Sequence, residues 1–389
     1  MNGPSLWSLF LSFLKIGSTA FGGFMALISV VQNEIVERRK LLTHSDMVDG
    51  ISLATILPGP VAVNVVAYVG YKLRGGLGAL VSATGVILPS FILIVALSAA
   101  YFHWGQIPAV NKLFLGFVPA VTAVIVHAAW GMARKTILGP AELTIAVIAC
   151  LLLVFKGGFY ITLAIILGAG LAGWLSFARF SNATEKAAES KPVRKKPGAH
   201  LFALNAPLAA AAFLALDAGL AEKLLLTFAG MSLLLFGGGF VFIPLIQQIV
   251  VQDHGWLTRQ EFIDAIAMGQ ITPGPILISA AFIGYKVMGL LGALIATIAI
   301  FLPPALLMLV SAHFLARVRN SAVVKAVLRG IRPAVVGMIV AAGLSIGITA
   351  VPNWLSAVIF LAALIALMRF RVDVAWIIPT AGLTGLLLY

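Results

Sequence analysis

The chain has 389 residues, 61% of them hydrophobic and 10% charged, with a mean hydropathy of +1.08. This excludes a soluble domain and implies an all-α polytopic membrane protein, because backbone in lipid must satisfy its own hydrogen bonds. The net charge of +13 fits basic loops held on the cytoplasmic side, so no nucleic-acid partner is expected. Cys150 is the single cysteine and offers neither a disulfide nor a thiolate metal site.

From the N-terminus, Met1 to Trp7 carries no basic side chain and no small-residue cleavage site follows, so no cleavable signal is expected. Six apolar segments come first, at 6–31, 47–70, 76–102, 108–131, 141–155 and 158–177. A charged stretch twice interrupted by proline, 179–200, reads as a flexible cytoplasmic linker between an N-terminal repeat, 1–178, and a C-terminal repeat, 201–389. Seven further segments lie at 201–218, 222–250, 262–285, 288–313, 333–350, 354–368 and 373–388.

The two parts are copies. At an offset of 215 (273 minus 58), Phe21-Gly22-Gly23 meets Phe236-Gly237-Gly238, Asp49 meets Asp264, and Pro58-Gly59-Pro60 meets Pro273-Gly274-Pro275. After one deletion the offset is 214 (284 minus 70): Gly70-Tyr71-Lys72 meets Gly284-Tyr285-Lys286, Pro89 meets Pro303, and Pro119 meets Pro333. The segment 201–218 has no counterpart ahead of the first copy, so the second is expected to lie inverted in the membrane. Placing the linker inside also brings Lys72, Arg74, Arg134, Lys135, Arg369, Arg371 and the run Arg317, Arg319, Lys325, Arg329, Arg332 inside, as the positive-inside rule requires.

Each Pro-Gly-Pro must break its helix, since proline lacks an amide proton, constrains its predecessor, and is followed or preceded by a glycine free to turn. In hydrocarbon such a break is tolerated only beside protein or a water-filled cavity. The stretches beyond Pro60 and Pro275 can start half-helices whose first amides are free, and two inverted copies aim two positive helix ends at one site suited to a tetrahedral oxyanion. Candidate binding residues are therefore Pro58, Gly59, Pro60, Pro273, Gly274 and Pro275, with Gly22, Gly23, Gly237 and Gly238 allowing close backbone approach. Side chains placed to complete the site are Asn64, Thr272 and Ser279, with Ser18, Thr19, Ser52, Thr55, Ser232 and Gln270 nearby. Lys72 and Lys286 are candidates for steering anions at the two mouths, and Asp49 and Asp264, a repeated acidic pair, for proton coupling, with His103, His127 and His313 as alternatives.

These pieces resemble the chromate ion transporters. The resemblance rests on "FGGF" and "FGGGFVFIP", on "LPGPVAVNVVAYVGYKLRGGLGAL" and "TPGPILISAAFIGYKVMGLLGAL", and on the "ILPS" and "FLPP" that follow. In long members proline and histidine commonly follow the first Phe-Gly-Gly; Phe24 and Leu27 stand there in this chain. The resemblance implies a fused two-repeat secondary transporter of the bacterial inner membrane that exports chromate, with sulfate-like anions as further substrates. An oxyanion channel and a sulfate uptake carrier are the alternatives. A membrane enzyme acting on lipid phosphates would need a catalytic cluster that the segments do not display, and no cofactor or metal is expected. The expected partners are an oxyanion, the lipid bilayer, a coupling proton and a second copy in a homodimer.

Overall fold

The computed structural model describes residues 4–20, 23–104, 108–156, 159–184, 218–236, 242–313, 321–350 and 354–389, and every regular element among them is helical. In chain order these are α1 (Leu6–Thr19), α2 (Gly23–Gln32), α3 (His44–Ile56), α4 (Val61–Trp104), α5 (Pro108–Thr136), α6 (Pro140–Phe155), α7 (Phe159–Thr184), α8 (Ala218–Leu233), α9 (Phe242–Ile246), α10 (Arg259–Ile271), α11 (Ser279–His313), α12 (Ala322–Ala350), α13 (Trp354–Ile365) and α14 (Val374–Leu388). Helices α4, α5, α7, α11 and α12 are long and apolar enough to cross a bilayer, and α1, α6, α13 and α14 are shorter apolar helices; the protein is multi-pass.

Local chemistry sets the starts. The Ser5 hydroxyl accepts from the Ser8 amide at the head of α1. Helices α3 and α10 both open on capping boxes, Thr43 with Asp46 and Thr258 with Glu261, so the repeat extends to the reciprocal bonding of side chain and backbone. Wide π turns, Asn33–Arg38 and Gln247–Asp253, precede these boxes at matching places.

The segments read as 6–31 and 222–250 are not continuous helices. Helix α1 ends at Thr19, Ala20 takes φ −85° and ψ 75°, and α2 begins at Gly23; in the second half α8 ends at Leu233 and α9 begins at Phe242. Glycine is a poor helix former, and the first run is divided between Thr19 and Gly23. The Pro-Gly-Pro breaks fall as foreseen: Leu57 and Thr272 are extended (ψ 153° and 141°), and Gly59 and Gly274 take φ of 103° and 109°. Helix α7 continues to Thr184, six residues into the stretch read as linker (179 through 184); 185–200 and 201–217 lie outside the described residues.

Helix α4 is a hairpin that turns at Arg74 and Gly75, and α11 turns likewise at Met288 and Gly289, with φ of 64° and 60° at the two glycines. The hairpin arms touch where Gly70 meets Gly78 and Gly284 meets Gly292, and a Cβ at any of the four would strike opposing backbone.

Packing between the halves is an exchange. Helix α5 lies on α13 and α14 of the second half, α12 lies on α6 and α7 of the first, and α4 packs on α11. Small residues make the crossings close: Gly116 abuts Ala381 and Gly385, and Gly330 abuts Ala169 and Gly173. Gly116 and Gly330 are the same repeat position (330 minus 116 is 214), so each half supplies the other with the same surface.

Candidate functional site

The two breaks are joined crosswise. The Gly59 amide donates to the Leu235 carbonyl at 2.7 Å, and the Gly274 amide donates to the Ala20 carbonyl at 2.9 Å. Both pairs are equivalent under the repeat, since 235 minus 20 and 274 minus 59 are each 215. Each Pro-Gly-Pro is therefore tied to the broken first helix of the other half. The second proline-containing motif closes behind it: a Cβ at Gly59 would collide with the ring of Pro304, and one at Gly274 would lie 3.3 Å from Ser90 Oγ.

Beyond each break a helix restarts, α4 at Val61 and, after a single 3-10 turn at Ile276–Ile278, α11 at Ser279. By helix geometry the first amides after such a restart have no acceptor within their own helix. Asn64 is fully buried one turn in; its Nδ2 donates to the Pro58 carbonyl at 3.1 Å, and its Oδ1 meets no donor among the described residues. Across at the second break, Gln270 Nε2 is buried without an acceptor. Thr272 and Ser279 are also buried, but their hydroxyl protons go to the carbonyls of Gly269 (3.0 Å) and Ile276 (2.9 Å). Ser18, Thr19, Thr55 and Ser232 likewise donate to carbonyls of their own helices. A hydroxyl has one proton, so in this conformation these residues offer an anion no donor. Gly23 opens α2; Gly22, Gly237 and Gly238 lie outside the described residues.

The lysines expected at the mouths are each held by an acid. Lys72 Nζ lies 3.4 Å from Asp46 Oδ1, and Lys286 Nζ lies 2.8 Å from Glu261 Oε1 and over the ring of Phe102. Burial would raise both carboxyls, but hydrogen bonds from the capping threonine and from the lysine outweigh it and hold each below its ordinary value. The capping acids thus cancel much of the field that steering would need.

Asp264 and Asp49, equal in sequence, are unequal in place. Asp264 is 1% exposed, accepting from Tyr101 Oη at 2.8 Å and from Gln260 Nε2 at 2.9 Å, whereas Asp49 is half-buried. No ion pair to Asp264 occurs among the described residues. At the repeat positions of Gln260 and Tyr101 the first and second halves carry Ser45 and Leu315, so the two residues that bond Asp264 are not repeated in sequence.

Sequence reasoning missed Tyr101, Gln260 and Arg332 as site residues. Tyr101 reaches Asp264 across 163 positions, and no local pattern announces it. Arg332 was assigned to a run of cytoplasmic charges, yet its Nη2 donates to the Thr55 carbonyl, 3.4 Å away, at the end of α3 beside the first break. A signal was present: Gly116-Phe117-Val118-Pro119 aligns with Gly330-Ile331-Arg332-Pro333, which sets an arginine against a valine.

Comparison with known proteins bears on this geometry. The profile of the chromate transporter family matches residues 7–174 and 222–386. The chromate transport protein of Cupriavidus metallidurans is 29% identical over 386 residues, 99% of this chain and 94% of that one. The chromate transport protein of Pseudomonas aeruginosa is 30% identical over 390 residues, 98% and 92% of the two chains. An uncharacterized transporter of Bacillus subtilis is 32% identical over 166 residues, which make up 42% of this chain and 93% of its own. No solved structure matches the chain.

Proposed function

The chain belongs to the chromate transporter family, and from that membership and the crossed breaks we propose that it is a secondary active carrier of tetrahedral oxyanions. Chromate, exported across the inner membrane of a bacterial cell, is the first substrate, with sulfate-like anions accepted at the same place. One observation carries this reading: the reciprocal bonds from Gly59 to Leu235 and from Gly274 to Ala20, which tie each helix break to the other half. Backbone amides at helix starts favour an anion.

Inversion of the repeats supplies the transport cycle, since two breaks tied crosswise can open alternately to either side while the site stays in the middle. Asp264 is the coupling group. Its carboxyl bridges α10, which ends in the second break, to Tyr101 on α4 of the other half. An ionised carboxylate accepts from Tyr101 and Gln260, and a protonated one must itself donate, so proton uptake changes the bond that ties the halves together.

Purified protein in liposomes loaded with labelled sulfate or chromate, under an imposed pH or voltage gradient, tests the reading. Accumulation beyond equilibrium identifies a carrier, equilibration alone a channel, and absence of flux for both anions removes the oxyanion reading. Orientation has its own test: cysteines at positions 190 and 352 of a Cys150-free variant should label from the cytoplasmic and outer faces respectively, and labelling from one face rejects the inversion.

A further inference from the structure

Three cations on α12 descend toward the first break. Lys325, Arg329 and Arg332 are spaced four and three residues apart and so share one helix face. Lys325 is exposed. Arg329 is half-exposed and ion-paired, with Nη2 2.8 Å from the buried Glu142 carboxylate and its guanidinium 4.0 Å above the Phe177 ring. Arg332, the deepest, is mostly buried and has no ion pair among the described residues; among them its hydrogen bond is the long one to the Thr55 carbonyl.

That carbonyl is available because the helix breaks. In a continuous helix Thr55 would accept from the amide of residue 59, but the Gly59 amide is given to Leu235 of the other half. Arg332 therefore points to the break and not back along α12 to the helix start, which lies about 15 Å away at 1.5 Å per residue. Snorkelling to an interface would turn it the other way. A guanidinium has five donors, and among the described residues one long bond uses only one of them. A charge in the membrane region without a counter-ion is costly and marks an ion path or ligand site. The second break has no such cation, Val118 standing at the equivalent place, and presents instead the unpartnered Gln270 amide.

We infer that Arg332 binds the oxyanion directly, supplying from the first break the positive charge that the amides lack, with Gln270 as a neutral donor from the second. This rests on the oxyanion reading of the crossed breaks and adds to it the residue that selects a doubly charged tetrahedral anion over a halide, since a planar fork matches two oxygens at once. Lys325 and Arg329 form the approach to it.

The test uses the full chain, purified in lipid-free detergent, with sulfate and chromate as probes in thermal melts and in labelled-sulfate binding. Either anion should raise the wild-type Tm, because a ligand that binds only the folded state stabilises it. Arg332→Gln should bind sulfate at least tenfold more weakly, as expected for a lost charged hydrogen bond, while melting no lower than wild type without anion, because it removes an unpaired charge. Arg332→Lys keeps the charge without the fork and should lie between; if the Gln variant cannot be purified, an unchanged affinity in the Lys variant overturns the inference. Sulfate binding by Arg332→Gln within twofold of wild type, alongside loss of binding in a Gly59 variant that still folds, overturns Arg332 and leaves the site reading standing. Absence of any anion response in wild type removes both. Arg332-dependent stabilisation by phosphatidylglycerol alone, and not by sulfate or chromate, makes this a lipid headgroup contact and overturns the inference.

Discussion

Alanine at the two break glycines should have unequal effects although the glycines are equivalent in sequence. Both have a left-handed φ, 103° at Gly59 and 109° at Gly274, so an alanine at either carries backbone strain of roughly 1–3 kcal/mol. At Gly274 the new methyl has Ser90 Oγ 3.3 Å away, a hydroxyl that can rotate aside. At Gly59 it meets the Pro304 ring, which cannot, and overpacking adds roughly another 1–3 kcal/mol. Gly59→Ala should therefore melt clearly below Gly274→Ala in the same detergent, and sulfate exchange in liposomes should fall in the same order. The double variant Gly59→Ala with Pro304→Gly removes the Cβ and the ring atoms that collide but not the strain, and, measured against Pro304→Gly alone, should lose no more than Gly274→Ala loses against wild type. Equal losses for the two single variants, or no recovery in the double variant, would refute the packing argument and with it the claim that the opposite half closes behind each break.

Three further outcomes follow from the site. Asp264→Asn should keep sulfate binding and exchange but lose acceleration by a pH gradient, whereas Asp49→Asn should retain it; measuring both in the same liposomes decides whether coupling lies in the second half. Asn64→Ala should weaken binding about tenfold, one hydrogen bond's net worth, and Ser279→Ala should leave binding nearly unchanged because its proton is already given to Ile276. The capping carboxyls Asp46 and Glu261 have folded values below their ordinary ones, so the stability they contribute is present above the unfolded carboxylate range and lost as pH falls through the folded values. Melts of wild type and of the Asp46→Asn, Glu261→Gln double variant should thus differ at pH 7, begin to approach each other as pH falls through about 4, the free carboxyl range, and meet only below the lowered folded values; a constant gap across pH would exclude this linkage.

What could be read from the chain alone was what recurs in it. The Pro-Gly-Pro breaks, the hairpin turns beside Lys72 and Lys286, and the pairing of Thr43 with Thr258 are local chemistry written twice, and two copies in register leave little room for chance. The Phe-Gly-Gly division was harder, since the glycines lie in an unbroken apolar run and the same composition serves helix packing. Crosswise pairing of Ala20 with Gly274 and of Leu235 with Gly59 could not be deduced, because carbonyls carry no sequence signature. For the same reason the contact of Arg332 could not be read: it reaches a carbonyl more than two hundred positions earlier, at Thr55. Asp264 and Asp49 show the opposite limit, in which an exact repeat in sequence leaves unsaid that one carboxyl is buried and the other half-buried.

The exchange of α13 and α14 for α6 and α7 bears on how the protein is made. Helix α5 leaves the ribosome with its glycine face ready, but α14 begins 238 residues after α5 ends (374 minus 136). Until then Ala381 and Gly385 are absent from the face at Gly116, while α12, arriving later, finds α6 and α7 already made. Biogenesis is therefore lopsided even though the finished architecture is balanced, and a chain cut short after α12 would keep one of its two crossings and leave the other bare.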